Sequence, residues 1–238
     1  MGTPRRPKGR AAAITAILIE DFPVAICELE HRNAFELLSA TILSAQCTDV
    51  RVNQVTPALF AKYPTPQLLA AANPEEIESI IHSTGFFRAK ARSLIGMAHD
   101  VETRFGGEVP SALEDLVTLP GVGRKTGNVV RSVVFDLPGL PVDTHVMRLS
   151  NRLGLTTEDD PVKIEMVLNK LLPPAQCGGF SLRLILHGRR TCAARAPKCG
   201  VCSLAHLCPS KVDQPAVAKK SESAAPSPKK SPNRKRAA

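Results

Sequence analysis

Four cysteines crowd into seventeen residues toward the C-terminal end of this chain: Cys192, Cys199, Cys202 and Cys208, in the rhythm C-x6-C-x2-C-x5-C. Thiols this dense converge only if the backbone wraps around something. Disulfides suit a secreted chain, and the opening residues show no secretory pattern. The longest apolar run there, "AAAITAILI", is broken by Thr15 and leads into "EDFP" without a cleavage site. A metal is the better occupant. An all-cysteine set of four suits either zinc or a [4Fe–4S] cluster, and spacing alone does not separate the two. Cys27, Cys47 and Cys177 lack ligand spacing and read as core thiols.

Upstream of that loop, residues 11–210 repeat their apolar positions at helical period, with no convincing alternating strand pairs. "FELLSATILSAQ" aligns Phe35, Leu37, Leu38, Ile42 and Leu43. "PEEIESIIHS" opens on Pro and acids, as a helix start does, and "RAKARSLIGMAHDVETRFGG" runs to a stop at Gly106–Gly107. "PSALEDLV" places Ser111 three residues before Glu114, a capping-box pattern. "DTHVMRLSNRLG" and "PVKIEMVLNKLL" each carry a cap. The pattern predicts an all-α protein of about ten short helices. With aromatics at 4% and no Trp, its core must be mostly Leu, Ile, Val and Ala.

The net charge of +9 is unevenly placed. Residues 1–10 hold four basic side chains and no acid, and residues 211–238 hold eight against two acids, so the stretch between is close to neutral. Both ends read as basic, disordered tails. The second has no Leu, Ile or Phe with which to offset ordering entropy, and serves either DNA retention or solubility. No apolar run reaches the roughly 18 residues needed to span a bilayer. A cytoplasmic location without membrane contact is the expectation.

"LPGVGRKTGNVV", residues 119–130, sets two glycines beside Arg124 and Lys125. A nucleotide-binding P-loop needs a glycine directly before its lysine and a strand before the loop. Arg124 stands in the first place and a helix in the second. The better parse is a helix over 112–117, a turn at Gly121-Val122-Gly123 and a second helix from about 123 to 136. Such a helix-hairpin-helix holds the DNA backbone through turn amides and a helix N-terminus, without reading sequence. On the second helix, Lys125, Asn128, Ser132 and Asp136 fall on one polar stripe, with Val129, Val130, Val133 and Val134 toward the core. Lys125 thus faces outward beside the turn. An amine must be neutral to attack carbon, and partial burial, Arg124 and the helix N-terminus would each favour that form. Asp143 stands directly before a helix with an apolar face of Val146, Leu149 and Leu153. Position alone reads it as an N-cap, and a second role needs one carboxylate oxygen left over.

Together these features resemble the endonuclease III family of DNA glycosylases. The hairpin lysine, "VDTHV" with its aspartate eighteen residues later, and the four-cysteine loop match that family's order and spacing. "LLSATILSAQCTDVRVN" and "GFFRAKA" fit it too, and the likeness covers roughly residues 12–210. It implies two helical lobes with a DNA cleft between them: a six-helix domain over 26–137, and a discontinuous cluster domain of 11–25 plus 138–210. It implies a structural [4Fe–4S] cluster rather than zinc on Cys192, Cys199, Cys202 and Cys208. The cluster would hold a basic loop, with Arg189, Arg190, Arg195 and Lys198, against DNA. It makes Lys125 the catalytic amine and Asp143 its partner carboxylate. Gly121, Val122, Gly123, Gln46 and Phe86 become DNA-contacting residues, with Gln46 filling the gap left by a flipped base, while His145 and Arg148, after Asp143, either contact the DNA backbone, line the site or support it from behind. Phe86 stands where the family usually carries an apolar wedge, often leucine. The activity implied is a monomeric bifunctional glycosylase/AP lyase of base excision repair in a bacterial cell, acting on oxidised pyrimidines in duplex DNA. The rival readings are an adenine-specific mismatch glycosylase, which typically lacks the lysine, and a non-catalytic DNA-binding iron–sulfur protein.

Overall fold

The computed structural model describes residues 6–212, and the described residues hold eleven α-helices joined by turns and four short 3-10 segments. Of the expected tail at 211–238, residues 213–238 lie outside the described residues, as do residues 1–5. Residues 7–10 of the expected N-terminal tail are helical. Helix α1 (Pro7–Asp21) already includes Arg10, whose guanidinium donates to the Gly154 carbonyl at 3.1 Å.

Apolar side chains gather into two cores. The first lies under α2 (Ala34–Leu43), α3 (Asp49–Lys62), α4 (Pro66–Ala70), α5 (Pro74–Ile81), α6 (Phe87–Phe105), α7 (Leu113–Leu116) and α8 (Arg124–Val133). The second gathers α1 with α9 (Thr144–Arg152), α10 (Pro161–Leu171) and α11 (Cys177–Arg190). The N-terminal helix therefore packs with elements more than a hundred residues away. Ile14 and Leu18 are fully buried there, each worth about 1.5–3 kcal/mol relative to exposure. Helix α8 touches α2, α7 and α11, and so lies where the two cores meet.

Local signals place most helix ends. Asn33, Thr48, Asn73 and Asp160 cap α2, α3, α5 and α10 through their side chains, and α6 stops at Gly106 in the left-handed region. The Ser111 capping box is a misreading. Helix α7 begins after Ala112, with no side-chain cap. The polar stripe on α8 also fails. The helix ends at Val133, Asp136 lies beyond it in a left-handed conformation, and Asn128 is only 3% exposed. The cause is tertiary: a helix flanked by three others has little surface left for a polar stripe. Gly127 meets the same crowding. A Cβ there would stand 2.7 Å from Leu113 Cδ1, so the glycine lets α7 and α8 close on one another.

Candidate active site

The hairpin turn is shaped by Gly121, at φ +77°, where a Cβ would lie 2.6 Å from the Ser93 Cβ on α6. Gly123 is the N-cap of α8, and no side chain caps that helix. The side of the turn occupied by Gly123 is open, since nothing lies within 4 Å of where its Cβ would be. Val122 differs from its two neighbours. Its side chain is buried in the first core and its N–H donates to the Leu119 carbonyl at 3.0 Å. It anchors the turn rather than offering a group outward.

Lys125 is exposed on the first turn of α8 and lines a pocket of about 670 Å³, open mouth included. The same pocket is lined by Asp143, so the amine and the carboxylate picked out from sequence come together from helices of different cores. Arg124 takes no part there. Its guanidinium makes a bidentate pair with Glu165 of α10, at 2.7 and 2.8 Å, which bridges the two cores.

Asp143 is the expected N-cap of α9, and one of its carboxylate oxygens is left over from that cap. One oxygen, Oδ1, accepts from the backbone N–H groups of His145 (2.8 Å) and Val146 (2.9 Å) and caps α9. The other, Oδ2, lies 3.2 Å from His145 Nδ1. The cap fixes the carboxylate's position, and the second oxygen takes no helix amide. His145 is held in turn by α11, where a side chain at Gly188 would collide with its ring. Arg148 reaches the carbonyls of Cys192 (3.0 Å) and Gly188 (3.4 Å), so it ties α9 to the cysteine loop.

Sequence periodicity missed the pocket's other polar side chains. Arg189 of α11 pairs with Glu28 and with Asp49 (3.3 Å to the latter), and all three line the pocket. That guanidinium is a cross-core clamp at the pocket rather than a side chain spread on a basic loop. Arg190 is likewise engaged, 5.4 Å over the Phe22 ring. Cys27, expected as a core thiol, lines the pocket as well, and burial pushes its thiol up from the ordinary cysteine value. Only an acid at a helix start hinted at Asp49. Nothing local marked Glu28 or Cys27.

Gln46 and Phe86 lie on two other turns. Both are exposed and both are left-handed, at φ +54° and +49°. Phe86 is 74% exposed, whereas Phe87 packs against the first core with its ring 4.5 Å from that of His82.

All four cysteines of the C-terminal loop line one pocket of about 440 Å³, open mouth included, together with Arg152 and His187, and none forms a disulfide. Arg152 donates to Cys192 Sγ at 3.3 Å, and His187 Nε2 lies 3.5 Å from Cys202 Sγ. Burial, reinforced by the neighbouring sulfurs, pushes the Cys202 and Cys208 thiols up.

Residues 39–174 match the model of the HhH-GPD superfamily base excision DNA repair proteins. Endonuclease III of Synechocystis sp. is 55% identical over 204 residues, covering 85% of this chain and 93% of the relative. Endonuclease III of Bacillus subtilis is 46% identical, covering 79% and 86%. Among solved structures, a non-covalent endonuclease III–DNA complex superposes with a TM-score of 0.81 at 44% identity, covering 86% of this chain and 96% of that one. A trapped endonuclease III–DNA covalent intermediate matches equally well. An all-helical fold, a glycine hairpin beside a lysine, and this identity over most of both chains lead to one assignment. The chain belongs to the HhH-GPD superfamily of base excision DNA repair proteins, and within it to the endonuclease III DNA glycosylases and AP lyases.

Proposed function

We propose that this glycosylase/AP lyase excises oxidised pyrimidines from duplex DNA and nicks the strand 3′ to the abasic site by β-elimination, with Lys125 as nucleophile and Asp143 as its partner. The carrying observation is that Lys125 and Asp143, from different helices of different cores, line one pocket. Among the described residues Lys125 forms no ion pair with a carboxylate. The amine is thus not tied down as the ammonium partner of an acid.

In this reading the damaged nucleotide leaves the stack and enters the pocket. The neutral Lys125 amine attacks C1′ as the bond to the base breaks, and the base departs with the bonding electrons and takes a proton from water. The carboxylate of Asp143 stabilises positive charge growing on the sugar and accepts the proton that the attacking nitrogen must lose. The C1′–O4′ bond then breaks, O4′ keeps the bonding pair and takes the proton held by Asp143, and the nitrogen lone pair closes the C1′=N bond of a protonated Schiff base. Loss of a C2′ proton then expels the 3′ phosphate, and water releases Lys125. Amides at Gly121 and Gly123 and the uncapped start of α8 hold a phosphate next to the reacting sugar. Gln46 and Phe86 take the space of the departed base, with the Phe86 ring inserted into the stack. His145 and Arg148 serve the site by support: His145 beside Asp143, Arg148 between α9 and the cysteine loop.

Cys192, Cys199, Cys202 and Cys208 fit a [4Fe–4S] cluster. They bound one pocket with Arg152, whose guanidinium donates to Cys192 Sγ at 3.3 Å, and an all-cysteine donor set suits that cluster. When bound, the cluster supplies cross-links that hold loop 192–208 in place, with Lys198 and Arg195 on it. We further propose two domains, 26–137 and 11–25 plus 138–210, in a monomeric, cytoplasmic enzyme. Among the described residues no helix is long and apolar enough to cross a membrane.

Borohydride trapping on a thymine-glycol duplex tests the reading. The wild-type protein should be captured as a covalent adduct and Lys125→Gln should not. An adduct formed by Lys125→Gln overturns the nucleophile assignment.

A further inference from the structure

Lys90 is a lysine almost wholly removed from water. It lies in the first turn of α6 and is 5% exposed. Its Nζ donates to the Leu43 carbonyl at 2.8 Å and to the Thr84 carbonyl at 2.9 Å. Burial pushes its amine below the ordinary lysine value, so the contact is made at a desolvation cost that an apolar side chain would not carry.

What those two carbonyls belong to gives the contact its meaning. Leu43 ends α2, and its oxygen is one of the acceptors left without a helical partner at a C-terminus. Three residues on stands Gln46. Thr84 ends a 3-10 turn, and two residues on stands Phe86. Leu43 and Thr84 are forty-one residues apart in sequence. Gln46 and Phe86 are two of the four non-glycine residues with positive φ among the described residues. Such conformations persist only where the surroundings over-determine them. A helical side chain leans toward the helix N-terminus, which carries the Lys90 ammonium back under both turns. With three donors on one nitrogen, it can serve an acceptor from each.

We infer that Lys90 is a positioning residue that ties the Gln46 turn and the Phe86 turn into one rigid wedge, so that both residues enter the duplex as a unit. This inference rests on the reading that Gln46 and Phe86 replace the flipped base. Neither Lys90 nor its two acceptors touches the reacting sugar. Their effect on chemistry runs through the shape of the two turns.

The test compares Lys90→Met, of similar volume but without donors, and Lys90→Arg, which keeps donors, with the wild-type full-length holoenzyme. Single-turnover cleavage is measured on a thymine-glycol duplex and on a single-stranded abasic oligonucleotide, where no stacked gap needs filling. Lys90→Met should lower the ratio of duplex to single-strand rate roughly tenfold, within the coupling seen between residues sharing one network. Lys90→Arg should recover part of that ratio. Global loosening of the fold would lower both rates together and leave the ratio unchanged. In addition, replacing Gln46 and Phe86 by Ala should cost the duplex rate much less in the Lys90→Met background than in wild type. An unchanged ratio, or strictly additive losses, overturns the tie. If Lys90→Met does not fold, Lys90→Gln, whose amide is too short to reach both carbonyls, decides, since a ratio equal to wild type overturns the tie. Should Gln46→Ala and Phe86→Ala leave wild-type duplex cleavage intact, the wedge reading falls and the tie with it. If wild type releases no base at all, the proposed substrate is at fault.

Discussion

The substitution Asp143→Asn separates the cap that this side chain provides from the chemical role proposed for it. In the structure Oδ1 accepts two helix amides while Oδ2 faces His145 Nδ1. Asparagine caps helices about as well as aspartate, so its carbonyl oxygen should keep the Oδ1 bonds. The helix start would lose only a favourable charge–dipole term of about 0.3–1 kcal/mol. For a chain of this size that corresponds to a fall in Tm of no more than roughly 4 °C. The catalytic loss should be far larger. An amide neither carries the charge that stabilises the growing cation nor takes a proton, and removal of such a group typically costs about 10²–10⁴ in rate. Asp143→Ala should add the lost cap, about 0.5–2 kcal/mol, to the same catalytic defect. The assay pairs thermal unfolding, followed by circular dichroism, with single-turnover base release from a thymine-glycol duplex. If Asp143→Asn released base at near the wild-type rate, the carboxylate would be a cap and nothing more. If it unfolded as readily as Asp143→Ala, the division of labour between the two oxygens would be wrong.

Removing the Arg124 guanidinium should strand Glu165, whose side chain is only 6% exposed. Arg124→Ala should therefore lose roughly 1–3 kcal/mol of stability in urea titration, and Glu165→Gln in that background should restore part of it. Stability should also fall on the acid side. Burial pushes the Glu36 carboxyl up, but the hydrogen bonds and charge of Arg32 outweigh this and leave it net below the ordinary range. Its contribution is complete above the unfolded value of about 4.3 and is lost as pH falls through the lower folded value. Glu36→Gln should flatten that part of a Tm–pH profile, and an unchanged slope would show the pair contributes nothing. Cys202→Ser should abolish a visible iron–sulfur absorbance band and loosen the loop about Arg152 and His187. A colourless wild-type protein containing stoichiometric zinc would overturn the cluster assignment.

Much of the helical framework was legible because its causes are local. Helix α9 needed only Asp143 ahead of Val146, Leu149 and Leu153. Helix α6 needed only its period and a left-handed stop at Gly106. Motif spacing likewise marked Lys125, Asp143 and the four cysteines, since order and interval survive without coordinates. Errors arose where a neighbour distant in sequence decides. Ser111 had the right partner at the right interval, but the chain enters α7 one residue later. Asn128 sat on a polar stripe by period and is buried because α2, α7 and α11 surround its helix.

The amino-acid order alone therefore determined helix class, several helix ends and the candidates for the chemistry, because these depend on interactions spanning a few residues. Tertiary structure decided where those residues meet and which charges remain available. It brought Lys125 and Asp143 to one pocket, turned Arg124 toward Glu165, placed Arg189 between Glu28 and Asp49, and buried Lys90 between two carbonyls. The Lys90 contacts lie within the first core and the others follow from how the two cores pack against one another, and helical periodicity carries no record of contacts across such distances.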